Sequence, residues 1–299
     1  RPSEVTLPEL LRKAGYRTGH FGKWHLGSVR SSSPCSPGNN GFDTWLSSPN
    51  FYENDPWMSD NGRAVSVKGE SSEVTMKAAL AFIREAAEQK RPFLAVVWFG
   101  SPHNPHVAHP IDKAHYAGRP KQVQNYYGEV TGIDRAMGTL RSALRASELA
   151  DDTIVWYTSD NGARRPGSNG GLRGAKGQLW EGGIRVPTLI EWPAIISRPR
   201  TSNALASTVD ILPTLIDLAG VTRPANAPPL DGSSLRPLIE GRPPAKNRTM
   251  GFWDVPARGL PVRSTKLLKK LAAEQTADKE RPRRDGARCS GGPCPPSAQ

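Results

Sequence analysis

Phe93-Leu-Ala-Val-Val-Trp-Phe99 runs directly into Gly100-Ser-Pro-His-Asn-Pro-His-Val-Ala-His-Pro110, and this junction decides the fold. A short, continuous apolar run rich in β-branched and aromatic residues predicts a strand covered on both faces. Upstream, Met76, Leu80, Ile83 and Ala87 recur at helical spacing, and downstream so do Val123, Tyr127, Val130, Ile133, Met137, Leu140 and Leu144. Thr153-Ile-Val-Trp-Tyr-Thr158 and Thr188-Leu-Ile-Glu-Trp192 repeat the strand signature and predict two more buried parallel strands. Thr6 and Glu9 form a capping box ahead of Leu7, Leu10 and Leu11, with Gly15 suited to the left-handed end, so a helix spans about 6–14. A further helix is expected near 208–219. Strands alternating with helices predict an α/β sandwich with a mostly parallel sheet, whose ligand sites lie beyond the carboxyl ends of its strands.

The chain has 299 residues, 36% of them hydrophobic, with 29 Gly and 28 Pro. That is one large domain or two modest ones, with room for a sizeable core. The apolar run at 93–99 is the longest, far short of the ~20 residues of a membrane helix. The net charge is +12, and positions 255–299 hold ten Lys or Arg against four Asp or Glu. Such a balance favours anionic partners and says nothing about fold. No basic stripe interleaved with aromatics and no nucleic-acid-binding motif accompanies it, so nucleic acid is not an expected partner. Cys35, Cys289 and Cys294 are too few for a disulfide framework or a four-cysteine zinc site.

Three polar segments fall where the loop rule looks. In Gly15-Tyr-Arg-Thr-Gly-His-Phe-Gly-Lys-Trp-His-Leu-Gly27, an extended backbone would turn Lys23 and His25 to one face and Trp24 to the other. The plain alternative is an amphipathic edge strand with solvated Lys and His. In the second segment His103 follows the strand 93–99 and is suited to proton transfer. The spacing of His103, His106 and His109 hints at zinc, but Pro102, Pro105 and Pro110 break the helix that would align them. The alternative is a Pro-rich surface loop. In the third, Asp160 and Asn161 close the strand 153–158 with hard oxygens of the kind calcium takes, although Asn161-Gly162 is also a common turn pair. Gly174 and Gly177 flank Lys176, letting backbone approach a bound group beside an ammonium charge. Two lysines, two histidines and part of an oxygen-ligand set suit a sulfate or phosphate ester, and the residues alone do not choose between them.

The segment 15–27 resembles the second signature of the formylglycine-dependent sulfatases. Ser101-Pro-His-Asn-Pro105, Ser159-Asp-Asn-Gly162, Gly174-Ala-Lys-Gly177 with Trp180-Glu-Gly-Gly183, and Val209-Asp-Ile-Leu-Pro-Thr-Leu215 follow in that family's order. The likeness covers about 4–255 and is nearest to the arylsulfatase and N-acetylgalactosamine-6-sulfatase type. It implies an alkaline-phosphatase-like α/β/α fold, one calcium ion and a hydrated formylglycine nucleophile. It further implies that Lys23 binds the sulfate and holds the formylglycine, and that His25 acts as a base. By the same likeness His103 faces the leaving-group oxygen, Lys176 binds sulfate and that oxygen, and Asp160 and Asn161 ligate calcium. The implied substrate is a sulfated small molecule or glycan, and the implied compartment is periplasmic or extracellular.

The family's nucleophile motif, Cys/Ser-x-Pro-x-Arg, and its paired aspartates precede the Gly-Lys-Trp-His motif, and neither is matched here. Cys35-Ser-Pro-Gly-Asn39 departs at its fifth position and follows Lys23 and His25, so Cys35 is not the expected nucleophile. The expectation is therefore a sulfatase piece lacking its N-terminal strand and an intact C-terminal subdomain. Its expected division is a partial catalytic domain over 1–254, a partial or degenerate region over 255–279 and a disordered basic tail over 280–299. Such a piece alone should be inactive. The competing expectations are a phosphodiesterase or phosphonate hydrolase of the same superfamily, and a non-catalytic anion-binding relative.

Overall fold

A computed structural model describes residues 4–243 and 250–251; the expected regions 255–279 and 280–299 lie outside the described residues. The described residues up to Met250 belong to one compact unit. Helix α1 (Leu7–Lys13) starts where the capping box predicts, with Thr6 Oγ1 accepting from the Glu9 amide and the Glu9 carboxylate accepting from the Thr6 amide. Strand β1 (Arg17–Lys23) follows, then β2 (Thr44–Ser48), β3 (Trp57–Asp60) and β4 (Arg63–Ser66). The long helices are α2 (Ser71–Glu88) and α4 (Lys121–Ala146), with β5 (Phe93–Trp98) and the short α3 (Pro110–Ala114) between them. Then come β6 (Val155–Thr158), α5 (Glu181–Ile184), β7 (Thr188–Glu191), α6 (Ile211–Leu218) and α7 (Arg236–Ile239).

The main sheet has the order β4-β3-β2-β1-β5. Strand β1 is parallel to both neighbours, with Gly22 opposite Ser47 of β2 and Trp98 of β5. Strands β2, β3 and β4 pair antiparallel, so the sheet is mixed. One alternative falls and one expectation changes. Strand β1 lies between β2 and β5 and is buried from Thr18 to Gly22, which removes the edge-strand alternative. The segments expected as parallel strands at 153–158 and 188–192 pair antiparallel as β6 and β7, in a ladder of their own. A parallel return needs a crossover that spans the sheet, and the only helix between them is the four-residue α5.

On one face of the sheet Phe21 packs with Met76, Ala79, Phe82 and Ile83 of α2 and Ala136, Leu140 and Leu144 of α4. Arg135 of α4 bonds Asp112 of α3 at 2.7 Å and lies 3.5 Å from Glu73 of α2, which ties three helices together. The buried carboxylate of Glu70 caps α2 by accepting from the amides of Ser72 and Glu73. On the other face His20, with no exposed surface, lies among Trp24, Phe42 and Trp98. Its Nδ1 shares a 2.7 Å hydrogen bond with Ser47 Oγ.

Burial holds the His20 imidazole neutral, its pKa pulled down to about 3. The folded protein therefore binds fewer protons than the unfolded chain between about pH 3 and pH 6.5. The stability His20 contributes is complete above the unfolded value and is lost as pH falls through that window. Between pH 6.5 and 5 the protein should lose about 2 kcal/mol more unfolding free energy than the His20→Gln variant. Parallel pH dependences in urea melts would contradict this.

Candidate active site

The parallel run of β1 beside β2 and β5 brings three strand ends to one edge. Lys23 is the last residue of β1 and is half-buried, opposite Ser48. The chain then keeps to β2, with the Trp24 amide bonded to Ser48 O and the His25 amide to Pro49 O. Trp24 is buried, stacks on Trp98 and donates its indole N–H to Cys35 O at 2.8 Å. The extended alternation expected through His25 stops here. His25 has φ 53° and is exposed, because the strand ends at Lys23 and the backbone turns left-handed two residues later. Lys23 and His25 therefore do not share a strand face. Cys35 is a free, exposed thiol whose visible role is its backbone carbonyl.

His103 lies five residues beyond Trp98, in a stretch of 101–109 that is irregular, as its prolines predict. Its Nδ1 hydrogen-bonds the Asn104 carbonyl at 2.8 Å; a carbonyl can only accept, so Nδ1 carries a proton, and Nε2 makes no hydrogen bond among the described residues. The ring stacks on Phe51, centroids 4.4 Å apart and planes 16° apart. Behind it, Glu129 of α4 holds the loop. One carboxylate oxygen bonds His106 Nδ1 at 2.9 Å and the other accepts the Val107 amide at 2.6 Å. Burial pushes the Glu129 carboxyl above its usual range, while the His106 and Val107 hydrogen bonds pull the other way. His106 is thus a structural partner of Glu129, and among the described residues no three His, Cys, Asp or Glu converge on a metal position.

The third cluster follows β6. Asp160 is exposed and Asn161 half-buried, and the Gly162 amide bonds Gly183 O at 2.9 Å. The Lys176 amide bonds Ala163 O at 3.3 Å. The Asn169 side chain accepts from the Ala163 amide at 2.7 Å and donates to Gly174 O at 3.0 Å. Gly174 and Gly177, at φ 87° and 86°, make the two left-handed turns around Lys176. The structure thus joins Asp160, Asn161 and Lys176 in one hydrogen-bonded unit, and places Lys23 and His103 at adjacent strand ends in another. Tyr126 of α4 bridges the two units, with its ring 5.1 Å from His106 and Gly167 against its hydroxyl end. Among the described residues the His25 side chain makes no hydrogen bond, ion pair or ring contact with either. Glu129, Phe51 and Asn54, which donates to Val107 O at 3.0 Å, are site-supporting residues the sequence reading did not single out. For Glu129 a signal existed: Asn125, Gly128, Glu129, Gly132 and Ala136 form a small and polar stripe at helical spacing, and that stripe is buried.

A sulfatase family model matches residues 1–221. The chain belongs to the sulfatase family. It is 32% identical to human N-acetylgalactosamine-6-sulfatase over 279 residues, covering 80% of this chain and 49% of that one. It is 31% identical to the ulvan-active sulfatase of Formosa agariphila, covering 82% and 52% of the two chains. The sulfatase chain therefore spans about half the length of these curated relatives. Among solved structures, Ps i-CgsB in complex with k-i-k-neocarrahexaose superposes with a TM-score of 0.74 at 26% identity, over 79% of this chain and 58% of that one. A protein of the alkaline phosphatase superfamily from Vibrio parahaemolyticus shares the fold, with a TM-score of 0.57 at 23% identity over 84% of this chain and 55% of that one. The expected family and α/β class hold, with the mixed sheet and the antiparallel β6–β7 ladder as corrections.

The seam between Gly162 and Gly182 has no room for a side chain: a Cβ on Gly162 would lie 1.9 Å from Gly182 O. Gly162→Ala should therefore break the Gly162–Gly183 hydrogen bond and speed exchange of the Gly162-position amide by at least about tenfold, at a cost of ~1–3 kcal/mol. Unchanged protection in hydrogen-exchange NMR would contradict this packing.

Proposed function

We propose that the whole protein hydrolyses sulfate esters on a glycan or aryl carrier, and that this chain supplies its anion-binding and proton-transfer groups. One observation carries the reading: the residues that match the sulfatase motifs lie at the end of β1 and in the loops after β1, β5 and β6, in a chain that the family model matches over 1–221. The names of the relatives support a sulfated saccharide as the carrier, since one acts on ulvan and another on N-acetylgalactosamine 6-sulfate groups.

In this reading Lys23 and Lys176 set ammonium charges against the sulfate oxygens and stabilise charge as it grows on them. His103 acts from its imidazolium form: Nδ1 keeps its proton on the Asn104 carbonyl, Nε2 gives its proton to the leaving oxygen as the sulfur–oxygen bond breaks, and the carrier departs as a neutral alcohol, leaving a neutral ring. His25 takes up a proton during release of sulfate. Asp160 and Asn161 suit a hard divalent ion such as calcium. The Asp160 carboxylate makes no hydrogen bond or ion pair among the described residues, and Asn161 adds an amide oxygen. They are two of the roughly six to eight oxygens calcium prefers, so the rest of the set is assigned to other parts of the protein. Bound there, calcium would neutralise sulfate charge. The family's formylglycine would supply the nucleophile, and no Cys/Ser-x-Pro-x-Arg stretch that could yield it occurs in these 299 residues. Export to the periplasm or cell exterior is part of the proposal; no described helix is long and apolar enough to cross a membrane.

Turnover of aryl sulfates and of phosphate diesters by the full-length gene product tests this. Sulfate turnover should dominate, and Lys176→Ala should lower kcat/KM by about 10²–10³. His103→Ala should cost about 10²–10⁴, with the larger losses on poor leaving groups. Faster turnover of phosphate diesters would favour the phosphodiesterase reading. Equal His103→Ala losses across the leaving-group series would remove the proton-donor role.

A further inference from the structure

Beside the Lys176 unit lies a hollow of about 490 Å³ lined by Gln122, Arg165, Pro166, Gly167 and Ser168. Its size is that of a saccharide-scale ligand site. No carboxylate lines it. Gln122 brings an amide that can donate, Arg165 a guanidinium, and Ser168 a hydroxyl whose oxygen already accepts the Gly170 amide at 3.2 Å, leaving its own proton to give. Arg165 is exposed and makes no ion pair or hydrogen bond through its side chain among the described residues. Several arginines that join elements have their charge engaged instead: Arg17 pairs with Glu85, Arg135 with Asp112 and Arg141 with Glu191.

The loop is held in shape from both sides. Asn169 ties Ala163 to Gly174, and Gly167 sits so close to Tyr126 that a Cβ there would lie 2.3 Å from the phenol oxygen. Tyr126 in turn touches His106, in the loop that carries His103. Tyr126 therefore links the loop that lines the hollow to the loop that carries His103, and the hollow's donors suit an anion.

We propose that Arg165, with Gln122 and Ser168, forms a second anion subsite that binds a sulfate on a sugar unit other than the one being cleaved. This rests on the sulfated-glycan reading above and narrows it: the preferred substrate is an oligosaccharide bearing several sulfates. A guanidinium fork matches two sulfate oxygens at once, which an ammonium cannot do.

The test is calorimetric binding at low salt, using full-length protein with a multiply sulfated galactan hexasaccharide, the same hexasaccharide desulfated, and a monosulfated monosaccharide. Arg165→Ala should weaken the sulfated hexasaccharide by about tenfold or more, leave the monosaccharide within about twofold, and leave the desulfated chain as weak as before. Gln122→Ala should weaken the hexasaccharide less, in the same direction. Arg84→Ala removes the same charge from an exposed face of α2 and should change nothing. Wild-type affinity in Arg165→Ala, an equal loss for the monosaccharide, or an equal loss in Arg84→Ala overturns the subsite. Turnover separates the two claims. Hexasaccharide binding that depends on Arg165 without any sulfate release would keep the subsite and sink the hydrolase reading, whereas sulfate release with Arg165-independent binding would do the reverse.

Discussion

Strand β1 lies between two parallel neighbours, and the site depends on how closely it lies to one of them. Gly22 takes φ 105°, and a Cβ there would sit 1.9 Å from the Trp98 carbonyl. Only glycine meets both demands, a left-handed backbone and a contact at backbone distance. That approach lets β1 and β5 end together, so Lys23 and the His103 loop leave the sheet at the same edge. It also sets Trp98 against Trp24 and His20, which closes the face behind Lys23.

Helix α4 does the second half of the work. At 26 residues it is far longer than its hydrophobic contacts with α2 require. Its first half carries the polar groups: Asn125, Tyr126 and Glu129 reach the His106 loop, and Tyr126 receives the Gly167 loop. Its second half carries Ala136, Leu140 and Leu144 into the core. One rigid rod thus transmits the position of the core to two loops that have little regular structure of their own. A buried carboxylate such as Glu129 is costly unless its lone pairs are used, and here both oxygens are. Loss of either partner would leave charge without compensation, which is why the loop is fixed more firmly than its irregular backbone suggests.

The long helices were legible because apolar residues recur at helical spacing, four positions in α2 and seven in α4, and α1 because Thr6 and Glu9 can satisfy each other locally. Strand β1 was harder. Arg17-Thr-Gly-His-Phe-Gly-Lys23 carries one large apolar residue, and its burial comes from neighbours and from glycine, neither of which local hydropathy records. The β3–β4 hairpin went unread although Asn61-Gly62, both at positive φ, is the dipeptide such a turn demands. The direction of β6 and β7 was not in their composition at all, since an apolar strand looks the same in either orientation. Of the candidate site, the loop rule pointed to Lys23, His103 and Lys176, because it depends only on where strands end. Glu129 escaped because a carboxylate on a helix ordinarily faces water, and only His106, distant in sequence, reveals that it does not.

The distribution of paired and unpaired charge follows the same division. Where arginine joins elements, as Arg135 does between α2, α3 and α4, its charge is spent on carboxylates and is unavailable to a ligand. In the loops after β6 the pattern inverts: among the described residues the Asp160 and Arg165 side chains have no partner, and Lys176 is held by its backbone amide with no counter-ion. An unpaired cation near the surface loses little by waiting in water, so the fold tolerates these groups at small cost. In the proposed reading an anion satisfies the two cations and a divalent cation satisfies Asp160, while the Gly162 amide and the Asn169 side chain tie the loops together through their hydrogen bonds.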